Sequence, residues 1–145
     1  MRPACRFLKR EQAGRLHHGD FIMPKRKSLR AGFHGRLTPR VKVWLEVDGQ
    51  YGFGFGIAEI LQAVGRAGSI KQAASDLGKS YRYVWSRIKE AEKAIGQSLV
   101  ETQVGGHGTQ RSFLTETAQQ LLADFLAMRQ RMIDVMQQEF ARRFE

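Results

Sequence analysis

The stretch from Gly68 to Ile88 constrains the fold of this 145-residue chain more than any other. Ser69 has the hydroxyl that can accept from the free N–H groups of a first helical turn. Ala73 and Ala74 are small enough for a second helix to cross closely over them. Gly78 falls where a helix end needs a left-handed residue, and Ser80 can cap the helix that follows. Val84, Ile88, Ala91 and Ile95 then recur at spacings that put them on one helical face. The opposite face carries Arg82, Ser86, Arg87, Lys89 and Lys93. Val84 and Ile88 are expected to pack against Ala74 and Leu77, with Trp85 also assigned to the core. A helix that presents cations and hydroxyls outward, braced by a tight partner, suits the major groove of DNA. An ordinary helical hairpin needs neither the glycine turn, nor the serine cap, nor the basic outer face.

The flanking segments extend this unit. Val41 to Val47 alternates as a half-buried strand does, and Asp48-Gly49 is a turn signal. Tyr51-Gly52-Phe53-Gly54-Phe55-Gly56 invites comparison with a dinucleotide loop, but Ile57 and Glu59 stand where the third glycine would be. It reads instead as a tight entry into a helix, with the phenylalanines packing inward. Ile57, Ile60, Leu61 and Val64 form the stripe of that helix. Ser98–Val104 and Gln110–Thr115 are strand-like around the glycine-rich tip Gly105-Gly106-His107-Gly108. A hairpin directly after the DNA-facing helix is a wing, from which His107 and Arg111 can touch phosphate or the minor groove. A long last helix begins at Thr115 or Glu116. Its apolar band is broader than one small domain covers, which predicts a two-fold dimer. Phe125, Met132, Val135 and Met136 are assigned to that interface, with Leu121 and Leu122 nearer the winged domain.

The net charge of +10 is unevenly placed. Residues 1–40 hold 11 Lys/Arg against Glu11 and Asp20, a net +9, and the remainder is close to neutral. The first 38 residues read as a basic, disordered arm for phosphate, with Met23 as an alternative start. Residues 39–115 read as the winged domain and residues 116–145 as the dimerisation helix. No apolar run reaches the ~20 residues that cross a bilayer, and no membrane partner is expected. The single Cys5 excludes an internal disulfide and points to a reducing cytoplasm. No histidine has a carboxylate or cysteine at ligand or triad spacing, so neither a catalytic site nor a metal site is expected. Met128, Met132 and Met136 read as core rather than ligands.

These residues carry a family resemblance. Val43 to Gly49, the Phe-Gly-Phe-Gly turn, Gly68-Ser69-Ile70 with Ala73-Ala74, Leu77-Gly78 with Ser80-Tyr81, and Trp85 resemble the N-terminal domain of the molybdate-responsive ModE regulators. The glycine-rich tip followed by Phe113-Leu114-Thr115 resembles that family's wing. A more distant similarity is to the LysR-type winged helix. The resemblance implies a mainly α fold with a small β wing, a winged helix-turn-helix and a long C-terminal dimerisation helix. It also implies a homodimer on a two-fold site in double-stranded DNA. Lys79 stands where many relatives carry an apolar residue. Molybdate-binding domains are expected after the last helix in that family. The sequence ends at Glu145, so no molybdate sensing, small-molecule ligand or cofactor is expected here.

The resulting expectation is a dimeric, sequence-specific transcriptional regulator and not an enzyme. Its DNA-binding positions are Ser69, Lys71, Lys79, Ser80, Tyr81, Arg82, Tyr83, Ser86, Arg87, Lys89, His107 and Arg111. The competing reading is a winged-helix adaptor that binds a protein partner, or nucleic acid without sequence preference.

Overall fold

The computed structural model of the chain describes residues 36–106 and 110–144; residues 1–35 of the N-terminal arm and His107 lie outside them. The first element is a hairpin of β1 (Trp44–Val47) and β2 (Gln50–Gly54). Asp48 and Gly49 both take positive φ, 51° and 75°. That pair of left-handed residues makes the two-residue turn whose twist matches antiparallel strands. The second strand corrects the expectation that Tyr51 to Gly56 only enters a helix. Leu45 pairs with Phe53, and Val47 with Gln50. A Cβ on Gly52 would come within 2.8 Å of Val47 Cγ2, so the glycine lets the turn end of the hairpin close.

Helix α1 (Phe55–Ala67) follows directly. Its Ile57, Ala58, Leu61 and Val64 are fully buried, and Ile60 and Ala63 nearly so, which makes α1 the central beam of the domain. Gly68 ends it in the left-handed region at φ 68°. The short helix α2 (Ile70–Asp76) is capped by Ser69, whose Oγ accepts from the Gln72 amide at 3.0 Å. Gly78 turns the chain at φ 63°, and the Lys79 amide donates back to the Ala74 carbonyl at 2.9 Å. Helix α3 (Tyr81–Ile95) is capped by Ser80 and ends at Gly96, φ 77°. Buried Ala73 and Ala74 on α2 join Val84 and Ile88 on α3 in the same core cluster, as the small residues required.

The wing is an antiparallel pair, β3 (Val100–Val104) and β4 (Gln110–Leu114), with Val100 opposite Leu114 and Gln103 opposite Arg111. One backbone bond fastens it to the end of α1, and another extends the base of the hairpin. The Ser112 amide donates to the Gly68 carbonyl at the end of α1 (2.8 Å), and the Thr115 amide donates to the Leu99 carbonyl (3.0 Å). Thr115 also uses its hydroxyl twice, donating to the Ser98 carbonyl at 2.8 Å and accepting from the Ala118 amide at 3.1 Å. It therefore caps the last helix, α4 (Glu116–Phe144).

Ala118, Leu122 and Phe125 of α4 belong to the core. The Phe125 ring meets Phe53 edge to face, with centroids 5.1 Å apart at 76°. This corrects the placement of Phe125 at a dimer interface. With 1% of its surface exposed, it is spent inside its own chain. The sequence pattern could not show that β2 exists to supply Phe53. Beyond Arg129, whose guanidinium lies 3.9 Å over the Phe55 ring, α4 continues away from the core. Met132 and Val135 are exposed there, and Met136 is half-buried. The architecture is the expected one: mainly α, with a small β wing around a helix-turn-helix.

Candidate nucleic-acid interface

The first turns of α3 present the chemistry. Ser80 is consumed as a cap, its Oγ accepting from the Tyr83 amide at 3.1 Å. Ser86 donates its hydroxyl to the Tyr83 carbonyl at 3.0 Å, which leaves its oxygen lone pairs free to accept. Tyr81, Arg82 and Tyr83 are all exposed. Trp85 is 45% exposed, which corrects its assignment to the core. At 100° per residue it stands one step past Val84, beside the apolar face rather than on it. The buried side of α3 is filled by Val84 and Ile88, which share the core cluster with the alanines of α2.

The cations divide into two groups. Arg87 donates to Glu90 at 2.5 Å, and Lys89 to Glu92 at 2.6 Å, both along the helix. Lys79 lies 5.7 Å over the Tyr83 ring and Lys89 5.9 Å over the Trp85 ring. Among the described residues, Arg82 and Lys93 have no ion-pair partner. Of the remaining positions singled out from sequence, Ser69 is used as the α2 cap and Lys71 is exposed on α2. Arg111 is exposed on β4 of the wing. The fold therefore gathers Ser80 to Lys89 on one element and sets Arg111 on another.

Glu92 is the residue that sequence reasoning missed. Only 9% exposed, its carboxylate accepts from the Leu99 amide at 2.9 Å and the Val100 amide at 3.2 Å, both through Oε1. Oε2 receives Lys89. Burial pushes this carboxyl up. The hydrogen bond from Lys89, the two backbone amides and the lysine charge together outweigh that, so it sits below the usual glutamate value. The bond network joins the end of α3 to the start of the wing. A signal was present in the sequence: Glu92 lies four residues after Ile88 and three before Ile95, a charge in line with the apolar stripe.

Residues 57–119, from α1 to the first turn of α4, match the bacterial regulatory helix-turn-helix protein family, lysR family. Over those residues the chain is similar to the helix-turn-helix of that family. It is also similar to ModE proteins. It is 32% identical over 80 residues to the molybdenum transport protein ModE of Herbaspirillum seropedicae, covering 55% of this chain and 30% of that protein. It is 36% identical over 85 residues to the DNA-binding transcriptional dual regulator ModE of Escherichia coli (strain K12), covering 57% of this chain and 32% of that protein. The chain therefore spans about a third of the length of the curated relatives it matches. Among solved structures, ArgP from Mycobacterium tuberculosis overlays with a TM-score of 0.45 at 24% identity, covering 59% of this chain and 30% of that one.

Proposed function

We propose that the chain is a transcriptional regulator that binds double-stranded DNA sequence-specifically as a homodimer, with α3 in the major groove and the wing on the flanking backbone. The observation that carries this reading is the solvent face of α3. There Arg82 stands unpaired among the described residues, next to the free acceptor of Ser86 and three exposed aromatics. Arginine matches the two acceptors of a guanine edge, and each good bidentate pair is worth about 1–3 kcal/mol of discrimination. Arg87 is the weaker candidate of the pair because Glu90 already holds it. Arg111 and the glycine-rich tip supply the phosphate contact from the wing, and the basic arm adds affinity without specificity.

The dimer rests on α4. Met132 and Met136 continue the helical face on which Ala118, Leu122 and Phe125 are buried, yet this part of α4 reaches past the core. A second copy covers it, through Met132, Val135 and Met136 without Phe125. It also sets two reading helices at half-sites roughly 34–36 Å apart. A regulator of this kind acts in the cytoplasm by binding, with no catalysis, metal or small-molecule ligand in the proposal. No helix among the described residues is long and apolar enough to cross a membrane.

Selection from random duplexes tests the proposal. The expected product is an enriched two-fold motif, which Arg82→Ala binds no better than unselected DNA while its circular dichroism is unchanged. Binding governed only by duplex length and salt would reject it in favour of sequence-blind binding.

A further inference from the structure

One carboxylate of α3 performs two tasks. Glu92 Oε1 is pinned by the Leu99 and Val100 amides, and Oε2 holds the Lys89 ammonium at 2.6 Å. Lys89 is itself 48% exposed, on the face that also carries Arg82 and Lys93. Building on the DNA-binding reading above, we infer that Glu92 is a positioning residue that ties the wing to α3 and withholds the Lys89 charge from phosphate. The physical ground is counterion release. A cation that neutralises a phosphate frees a condensed counterion, and this supplies nearly all sequence-blind affinity. A lysine already neutralised by its own protein frees very little.

The Lys89–Glu92 pair differs from the Arg87–Glu90 pair, which is offset by two residues along α3. Glu90 is 61% exposed and can turn into water, whereas Glu92 is 9% exposed and held by two backbone donors. A buried carboxylate loses far more than an exposed one when its partner leaves. Lys89 therefore stays committed when a duplex arrives. The consequence is a reading helix with muted general attraction for DNA and undiminished direct readers. Specificity, the ratio of the two affinities, rises accordingly.

Glu92→Gln separates the two tasks. The Gln oxygen still accepts from Leu99 and Val100, but its amide nitrogen faces Lys89 donor to donor, so the lysine is released. The probe is a random-sequence 30-base-pair duplex, with binding measured from 50 to 200 mM salt. Glu92→Gln should steepen the logarithmic salt slope by about 0.9, the value for one added phosphate contact. Across that range the variant should lose roughly 3.5-fold more affinity than the unmutated chain. Lys89→Met added to Glu92→Gln should remove the extra steepness. An unchanged slope in Glu92→Gln, or a steeper slope that survives Lys89→Met, would overturn the inference. Failure of the unmutated chain to bind any duplex at any salt would instead overturn the DNA-binding reading, and this inference with it. A folding defect in the variant is bypassed by lysine-selective NMR on the unmutated protein. The Lys89 ammonium should be restrained by Glu92 both free and with the same duplex, and its release in the complex would also overturn the inference.

Discussion

Phe125→Ala and Met132→Asp should separate two roles of a single helix. Phe125 is 1% exposed and stacks edge to face on Phe53, so its truncation removes buried surface, leaves a cavity and breaks an aromatic pair. Phe-to-Ala changes in cores cost about 3–5 kcal/mol, of which about 0.5–1.5 kcal/mol belongs to the ring pair. Because Phe53 lies on β2 and Phe125 on α4, the loss also loosens the hairpin against the last helix. With a urea dependence of ~2 kcal/mol per molar, the unfolding midpoint should fall by about 2 M. Met132 is 43% exposed, and its change to aspartate should cost the isolated fold less than about 0.5 kcal/mol. It should instead shift the dimer towards monomer. The assay is urea unfolding by circular dichroism at fixed chain concentration, paired with light scattering of the same samples. A Phe125→Ala penalty below about 1 kcal/mol, or a Met132→Asp variant that unfolds early yet stays dimeric, would refute this division.

Three further outcomes are expected. In a Trp44→Phe background, which leaves Trp85 as the remaining indole, iodide should quench fluorescence readily; weak quenching would return Trp85 to the core. Val84→Asp should unfold the domain in a thermal melt, because it buries an unpaired carboxylate at a position with no exposed surface. The lowered pKa of Glu92 makes stability pH-dependent: its contribution is complete above the ordinary glutamate value of 4.5 and is lost as pH falls through its lower folded value. Chemical denaturation between pH 3 and 6 should therefore show a stability loss on acidification that is smaller in Glu92→Gln, and an equal loss in both would contradict that role.

The helix-turn-helix was legible in the sequence because its signals are local. Ser69 and Ser80 bond within three residues of themselves, and Gly78 turns the chain where it stands. Features decided by distant pairing were not legible. Strand β2 contains Gly52 and Gly54, which lower strand propensity, and it forms because β1 and Phe125 accept its partners. Phe125 and Met132 look alike as apolar helix positions, and only the presence of Phe53 sends one inward. Trp85 lies a single 100° step from a buried valine, a margin that composition does not resolve. Glu92 was not singled out because its partners are backbone amides, those of Leu99 and Val100, seven and eight residues further along the chain.

Mapping the protein surface against DNA by NMR tests the central claim most directly. Amide resonances of the unmutated chain would be followed as the duplex enriched by selection is added. Perturbations should concentrate at Ser80 to Lys89 of α3 and along Gln110 to Ser112 of the wing, with the buried centre of α1 unmoved. Perturbations confined to the β1–β2 hairpin or to α4, with α3 silent, would contradict the account.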